Sequence, residues 1–200
     1  MTEILHDPLF VWQAGFPALY ALMITALLRL NRRSERRVRH FSARLALDEA
    51  LPFRPGLSPI YFSAYGLGVM AYLAMLLRPE LPRVVAGYLL VFFASSLFFW
   101  FLPSRIGRGD PSTSPLLRAR WLDAFQRAAK PFNNFPSLHT AYCVFSTAVV
   151  LAEVPSALGC WLLLWAALVV LSTLLTKQHD LLDDCAGALI GLAVFLAVLR

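Results

Sequence analysis

Six long apolar blocks divide this sequence, and they limit its fold more than any other feature. Each block holds about 20 residues, and a helix of that length spans the ~30 Å hydrocarbon core of a bilayer. Backbone groups inside lipid must satisfy one another, so blocks of this kind form helices. The blocks are residues 9–30, 58–77, 84–102, 136–155, 156–175 and 181–199. The sequence therefore predicts an all-α polytopic membrane bundle of six transmembrane helices, forming a single domain over residues 1–200.

The composition excludes an ordinary soluble domain. The chain is 58% hydrophobic and 15% charged, whereas soluble domains are roughly 45–50% apolar and about 25% charged. The first block exceeds the ~7–15 apolar residues of a signal peptide and is followed by basic residues rather than a cleavage site, so we expect it to remain as a helix.

Polar segments of unequal length join the blocks. Residues 31–57 are rich in arginine, which is typical of a juxtamembrane loop attracted to anionic lipid, and the middle of this loop could form an amphipathic helix on the headgroups. Residues 103–135 carry six basic residues against only Asp110 and Asp123. The last junction, residues 177–180, is very short.

The number of crossings brings two histidines to one membrane face. His139 lies near the start of the fourth block, and His179 follows 40 residues later, after two crossings of about 20 residues each. Arg105 and Arg108 follow the third block and lie on the same face. Ionisable residues at membrane depth are costly, so this cluster is a candidate functional site.

The segment Asn133-Asn134-Phe135-Pro136-Ser137-Leu138-His139 has the features of a helix start. Proline suits the first helical position, and a preceding asparagine can cap it. The amides of Ser137, Leu138 and His139 would then point outward with the positive end of the helix dipole behind them. The sequence therefore predicts an anion site suited to phosphate.

His179 has a carboxylate at helical spacing. Asp183 lies four residues after it, which places both on one helical face. The carboxylate can then accept from one ring nitrogen and leave the other free to attack. Asp180 and Asp184 lack this spacing and are interpreted as interfacial charges near a helix start. The arginines supply permanently charged donors for phosphate oxygens.

Two segments carry a resemblance to a known family. Residues 136–139, Pro-Ser-Leu-His, and residues 172–183, from Ser172 to Asp183, resemble signature motifs of the type-2 phosphatidic acid phosphatase superfamily, whose membrane branch has six helices. The resemblance implies a phosphohistidine mechanism with no metal or cofactor. His179 would be the nucleophile, Asp183 would orient it, and His139 would protonate the leaving oxygen. Ser137 and the backbone around it, including Leu138, would hold the phosphate.

The sequence departs from the family pattern at three places. Leu138 replaces the usual glycine, as in the branch with sphingolipid and inositol phosphorylceramide synthases. Thr173 replaces an arginine, and Lys177 could supply the missing charge. The upstream Lys-(six residues)-Arg-Pro motif is absent; Arg108, with Arg105 beside it, is expected to take its place.

Hydrolysis of a lipid phosphate is the function that these residues favour. A lipid phosphotransferase would use the same residues, and a non-enzymatic transporter or scaffold of six helices is a third class. A zinc site of His139, His179 and Asp183 is the alternative chemistry, although nearby Arg and Lys would repel a cation. The expected partners are the lipid phosphate substrate and membrane lipids, with no nucleic acid.

Charge also predicts an orientation. Of the 18 Lys and Arg residues, 15 lie on the side of the two histidines and only Arg78, Arg83 and Arg200 lie opposite. The positive-inside rule, applied to such short loops, places the active-site face in the cytoplasm. The expected location is a bacterial inner membrane.

Overall fold

The computed structural model describes residues 8–154 and 156–200, and the regular elements in that part of the chain are helical. They are α1 (Pro8–Glu35), α2 (Ala46–Ala50), α3 (Ser58–Phe62), α4 (Ala64–Met75), α5 (Leu81–Phe101), α6 (Ala119–Ala128), α7 (Leu138–Leu151), α8 (Ser156–Leu175) and α9 (Leu181–Leu199). β-Pairing within the same residues is limited to two isolated bridges, which join Phe41 to Ser104 and Arg105 to Phe132. The predicted all-α class is confirmed.

The six predicted blocks correspond to five candidate spans and one shorter helix. The candidates long and apolar enough to cross a membrane are Val11–Glu35, Pro55–Met75, Leu81–Phe101, Ala157–Leu175 and Leu181–Leu199. The fourth block forms α7, whose 14 residues extend about 21 Å, less than the ~30 Å of hydrocarbon. Pro155, the predicted end of that block, lies outside the described residues.

Helix α7 lies at the centre of the bundle and contacts α4, α5, α8 and α9. Its core-facing side chains, including Phe145 and Val149, are fully buried. Glycines on α9 allow close approach: a Cβ on Gly187 would lie 2.3 Å from the carbonyl oxygen of Ser137, and one on Gly191 would lie 2.4 Å from that of Ala141. These small residues bring the N-terminal halves of α7 and α9 together.

The second predicted block is broken into α3 and α4 at Ser63, where the sequence indicated a continuous helix. The indole Nε1 of Trp165 on α8 donates to the Ser63 hydroxyl at 2.8 Å, which ties the break to the bundle. The break lies two residues after Tyr61, which is buried and faces the start of α7.

The outer faces of the long helices are apolar. Exposed leucine, phenylalanine and tryptophan side chains line α5, α8 and α9, among them Phe93, Leu97, Trp161, Leu163 and Leu189. Large exposed apolar surfaces of this kind are rare on soluble proteins. The helices therefore fit a multi-pass membrane protein.

The loop of residues 31–57 does not form the amphipathic helix that its sequence would allow: α1 ends at Glu35, and α2 has only five residues. An amphipathic helix forms instead in the next long loop, as α6. There Leu122 is fully buried, whereas the adjacent Trp121 is exposed. Both loops lie on the side of the bundle where α7 and α9 begin.

Candidate active site

Ser137 caps the start of α7. Its hydroxyl oxygen accepts from the Thr140 amide at 3.1 Å, and its own amide donates to the Asp183 carbonyl at 2.8 Å. The expectation that Pro136 opens the helix behind an asparagine cap is therefore wrong. The hydroxyl of Ser137, the residue after Pro136, provides the cap instead. The amides of Leu138 and His139 begin the helix and have no intrahelical carbonyl partner.

The His139 ring is held by α3. Its Nε2 atom lies 2.9 Å from the Tyr61 carbonyl oxygen, and its ring stacks on the Tyr61 ring at 4.3 Å with an interplanar angle of 4°. The Tyr65 ring meets it edge-on at 5.5 Å. A carbonyl can only accept, so Nε2 carries a proton and donates it. Nδ1 is therefore the ring nitrogen that is available to exchange a proton with a substrate.

The His179 ring is held by a carbonyl in the same way. Its Nδ1 atom lies 3.2 Å from the Asn134 carbonyl oxygen, so Nδ1 donates and the lone pair of the neutral ring is on Nε2. Nε2 makes no hydrogen bond within residues 8–154 and 156–200. Asp183 Oδ2 lies 3.8 Å from Nδ1, close enough for charge attraction but beyond hydrogen-bond distance.

Opposing effects act on the pKa of His179. Burial lowers it and the Arg108 guanidinium also lowers it, while the carboxylates of Asp183 and Asp184 raise it. The carboxylates outweigh the other effects, and the pKa is raised above the ordinary 6.5. The surroundings therefore favour positive charge on this ring.

Asp180 and Asp184 are buried, so their interpretation as interfacial charges is wrong. Asp184 is 3% exposed; its carboxylate accepts from the hydroxyl of Thr140 at 2.5 Å and also from that of Thr173. It thus connects the starts of α7 and α9 to the end of α8. Asp180 occupies the N-cap position of α9, and burial together with the nearby Asp183 charge raises its pKa to about 6.

Arg108 and Arg105 take different positions. The Arg108 Nη atoms donate to the carbonyls of Ala129 and Lys130 at 2.6 and 3.3 Å, while its buried Nε has no partner among the described residues. Burial lowers the pKa of Arg108. Arg105 is exposed, with its guanidinium 5.9 Å from the centre of the Phe132 ring. Both arginines line a cavity of about 750 Å³.

Lys177 and Leu138 complete the predicted set. Lys177 has a positive φ of 54°, and its ammonium group donates to the Asp48 carbonyl on α2. The structure thus directs this charge towards the loop of residues 36–57, whereas Arg108 is near enough to act on the His179 charge. Leu138 packs against the hydrophobic core.

The three residues of the alternative zinc site, His139, His179 and Asp183, do not form a metal cluster. Within residues 8–154 and 156–200, no three His, Cys, Asp or Glu side chains converge closely enough to hold a metal ion. His139 and His179 each direct one ring nitrogen at a backbone carbonyl instead.

Several residues of the site have weak or absent sequence signals. Tyr61 and Asn134 act through their backbone carbonyls, which every residue possesses. Asp184 offered a signal, because a carboxylate in an apolar helix is itself a functional candidate. The i+4 spacing from His179 favours Asp183 instead.

Comparison with known proteins agrees with the fold and the motifs. The family described as the PAP2 superfamily matches residues 84–200. The crystal structure of LpxE from Aquifex aeolicus superposes with a TM-score of 0.54 at 18% identity, over 88% of this chain and 93% of that one; at this identity the likeness shows a common fold. The sequence matches no curated protein. Because the family match covers more than half of the chain, the protein belongs to the PAP2 superfamily.

Proposed function

We propose that this protein is a membrane-embedded lipid phosphate phosphatase that acts through a phosphohistidine on His179. The observation that carries the proposal is the hydrogen bond from His179 Nδ1 to the Asn134 carbonyl at 3.2 Å. It holds the ring in the tautomer whose Nε2 lone pair is free for nucleophilic attack.

Positive groups beside the histidines would hold the phosphate. Arg108 has a buried Nε without a partner in the described residues, and an unsatisfied buried donor is costly unless a ligand binds it. The amides of Leu138 and His139 add the N-terminus of α7, where anions are stabilised. Ser137 supports this site by capping the same turn.

The reaction divides into two displacements. His139 begins the first step protonated on both ring nitrogens. His179 Nε2 attacks phosphorus, the P–O bond to the lipid breaks, and His139 gives its Nδ1 proton to the leaving oxygen, which leaves the ring neutral. Water then attacks the phosphohistidine, His139 takes back a proton from that water, and inorganic phosphate leaves with cleavage of the P–N bond. No external oxidant or reductant is needed in either step.

The surroundings support a lipid as the substrate. The site lies where apolar helices end, so an anionic headgroup can reach it while the hydrocarbon tail stays against side chains such as those of α8. A groove of about 520 Å³ lined by Ile60, Trp161 and Trp165 opens beside α3, the helix that holds His139.

Purified protein and a panel of lipid phosphates test this proposal. The panel comprises phosphatidate, phosphatidylglycerophosphate, polyprenyl phosphates and sphingoid phosphates, and the assay measures free phosphate. We expect His179→Ala and His139→Ala each to abolish turnover, with the double variant scarcely worse than either single one. Undiminished phosphate release by His179→Ala would refute the mechanism. Asp123→Asn, a change on the surface of α6, is the control.

Labelled substrate distinguishes hydrolysis from phosphotransfer. With ³²P in the lipid phosphate, a phosphatase releases the label as inorganic phosphate even when diacylglycerol or ceramide is supplied. A transferase moves the label into the added lipid alcohol. Acid-labile, base-stable label on the wild-type protein, absent from His179→Ala, identifies the phosphohistidine in either case.

We also infer that the active-site face is cytoplasmic. Eight Lys and Arg residues lie between positions 29 and 54. Arg33 stacks on Trp100 and Arg44 contacts Gly107, but the other six still outnumber the three on the opposite side. A reporter that fluoresces only in the cytoplasm, fused after Arg200, should remain dark. Bright cells would place the active site on the outer face.

A further inference from the structure

The segment of residues 41–48, between the first two candidate spans, contacts two separate parts of the candidate site. At one end the Phe41 amide donates to the Pro103 carbonyl at 2.9 Å, and the Phe41 carbonyl accepts from the backbone amide of Arg105 at 3.0 Å. At the other end Asp48 lies against the junction between α8 and α9. The segment therefore connects the loop that carries Arg108 to the junction that carries His179.

Asp48 contacts both ends of the His179 junction. It is 2% exposed. Its Oδ1 accepts from the amide of Leu181, the first residue of α9, at 2.8 Å, while Oδ2 accepts from the Leu45 amide at 2.8 Å. Its carbonyl accepts from the Lys177 ammonium group. Lys177 adopts a left-handed backbone that non-glycine residues seldom adopt. Residues 177 and 181, which flank His179, are thus both tied to Asp48.

Arg44 contacts the immediate neighbours of two candidate site residues. Its Nη2 donates to the Gly107 carbonyl at 2.8 Å, and its Nε lies 3.6 Å from Asp180 Oδ1. Gly107 precedes Arg108, and Asp180 follows His179. The guanidinium packs closely against Gly107, where an added Cβ would be 3.2 Å from Nη1.

We propose that Arg44 and Asp48 are positioning residues, which set the distance between the phosphate-binding Arg108 and the nucleophile His179. The proposal rests on the proposed function, because it assigns those roles to Arg108 and His179. Neither residue touches the reacting atoms. Their contribution is geometric, and in-line attack is sensitive to displacements of the order of 1 Å.

Two conservative variants and two matched controls test the proposal. Asp48→Asn leaves one acceptor oxygen for two amide donors, and Arg44→Gln removes the bridge between Gly107 and Asp180. Glu49→Gln and Arg39→Gln change exposed charges in the same loop. In purified protein that keeps its thermal unfolding midpoint, we expect kcat to fall about tenfold or more in the two test variants. KM should stay within about twofold, and the controls should match wild type. Arg44 is partly exposed, so Arg44→Gln tests the proposal if Asp48→Asn does not fold.

A spectroscopic measurement separates positioning from general stability. In protein labelled with ¹⁵N-histidine, the ring signals of His179 are assigned by their loss in His179→Ala. We expect those signals to shift in Asp48→Asn and Arg44→Gln and to stay in place in the controls. An unchanged kcat in both test variants, or an unmoved His179 signal in both, would overturn the proposal. If His179→Ala retains full activity, the proposed function fails instead, and the ring signal still shows whether Arg44 and Asp48 position the junction.

Discussion

The Nδ1 atom of His179 lies 3.2 Å from the backbone carbonyl oxygen of Asn134, a residue 45 positions earlier in the chain. Asp183, which the i+4 spacing pairs with the ring, is farther from Nδ1, at 3.8 Å, and also accepts from the Asp180 amide at 2.9 Å. The carbonyl therefore fixes the tautomer, and the carboxylate acts mainly through its charge. The orientation of the His179 ring and the electrostatic effect on it come from different residues.

The charge around His179 predicts the acid side of the pH profile. Nε2 attacks only when the ring is neutral, and the pKa of His179 is raised above 6.5. As the pH falls through that raised pKa the ring becomes protonated, so kcat/KM should fall about tenfold per pH unit, with a midpoint above 6.5. Asp183→Asn removes a charge that raises the pKa and should shift the midpoint to lower pH. A wild-type midpoint at or below 6.5 would contradict this assignment, and Asp123→Asn is the control.

Replacement of Arg108 by lysine should impair the enzyme severely. Its guanidinium bonds the carbonyls of Ala129 and Lys130 while keeping Nε buried, and an ammonium group cannot reproduce this fork of donors. We expect Arg108→Lys to lose at least about tenfold in kcat/KM. Arg118→Lys should stay near wild type, because Arg118 is exposed and bonds Ser58 only through its backbone carbonyl. Equal, mild effects at both positions would show that Arg108 is not the phosphate-binding arginine.

Chelation of metal ions should leave the activity intact. In the proposed mechanism guanidinium and amide donors hold the phosphate and His179 is the nucleophile, so no step requires a metal cation. Vanadate, which resembles the pentacoordinate transition state, should inhibit. The measurement is phosphate release after EDTA dialysis. Loss of activity that zinc restores would indicate a metal mechanism instead.

The contact between α7 and α9 should not tolerate a methyl group at Gly187. The added Cβ would lie 2.3 Å from the Ser137 carbonyl oxygen, and backbone cannot move away as a side chain can. We expect Gly187→Ala to destabilise the fold by about 1–3 kcal/mol, seen as a lower thermal unfolding midpoint in detergent, and to reduce kcat by displacing Ser137 from Asp183.

Gly66→Ala is the matched control for that substitution. Gly66 also lies inside a helix, but its added Cβ would meet no atom within 4 Å. Alanine is the better helix former by about 1 kcal/mol, so Gly66→Ala should keep or raise the midpoint and leave activity unchanged. Equal loss of stability in both variants would mean that close packing at Gly187 is not the cause.

The features that the sequence determined by itself are those set by local composition and spacing. The apolar runs of residues 156–175 and 181–199 become α8 and α9 with those bounds, because lipid requires a helix of that length. The i+4 spacing brings Asp183 near His179 because the two lie one turn apart at the start of α9. The predicted start of α7 is wrong because Pro136 and Ser137 are both common at a helix start. Only the hydrogen-bond geometry shows that Ser137 is the cap.

The remaining features depended on tertiary structure, because they join residues far apart in the chain. The carbonyls of Tyr61 and Asn134 hold the two histidines across 78 and 45 positions, and the Asp48 carboxylate caps α9 across 133. Every residue has a backbone carbonyl, so the sequence does not mark which carbonyls hold the histidines. Nothing in the sequence distinguishes Asp48 from other loop aspartates. Their roles arise only when α7 and α9 pack closely enough, over glycines, for these groups to meet.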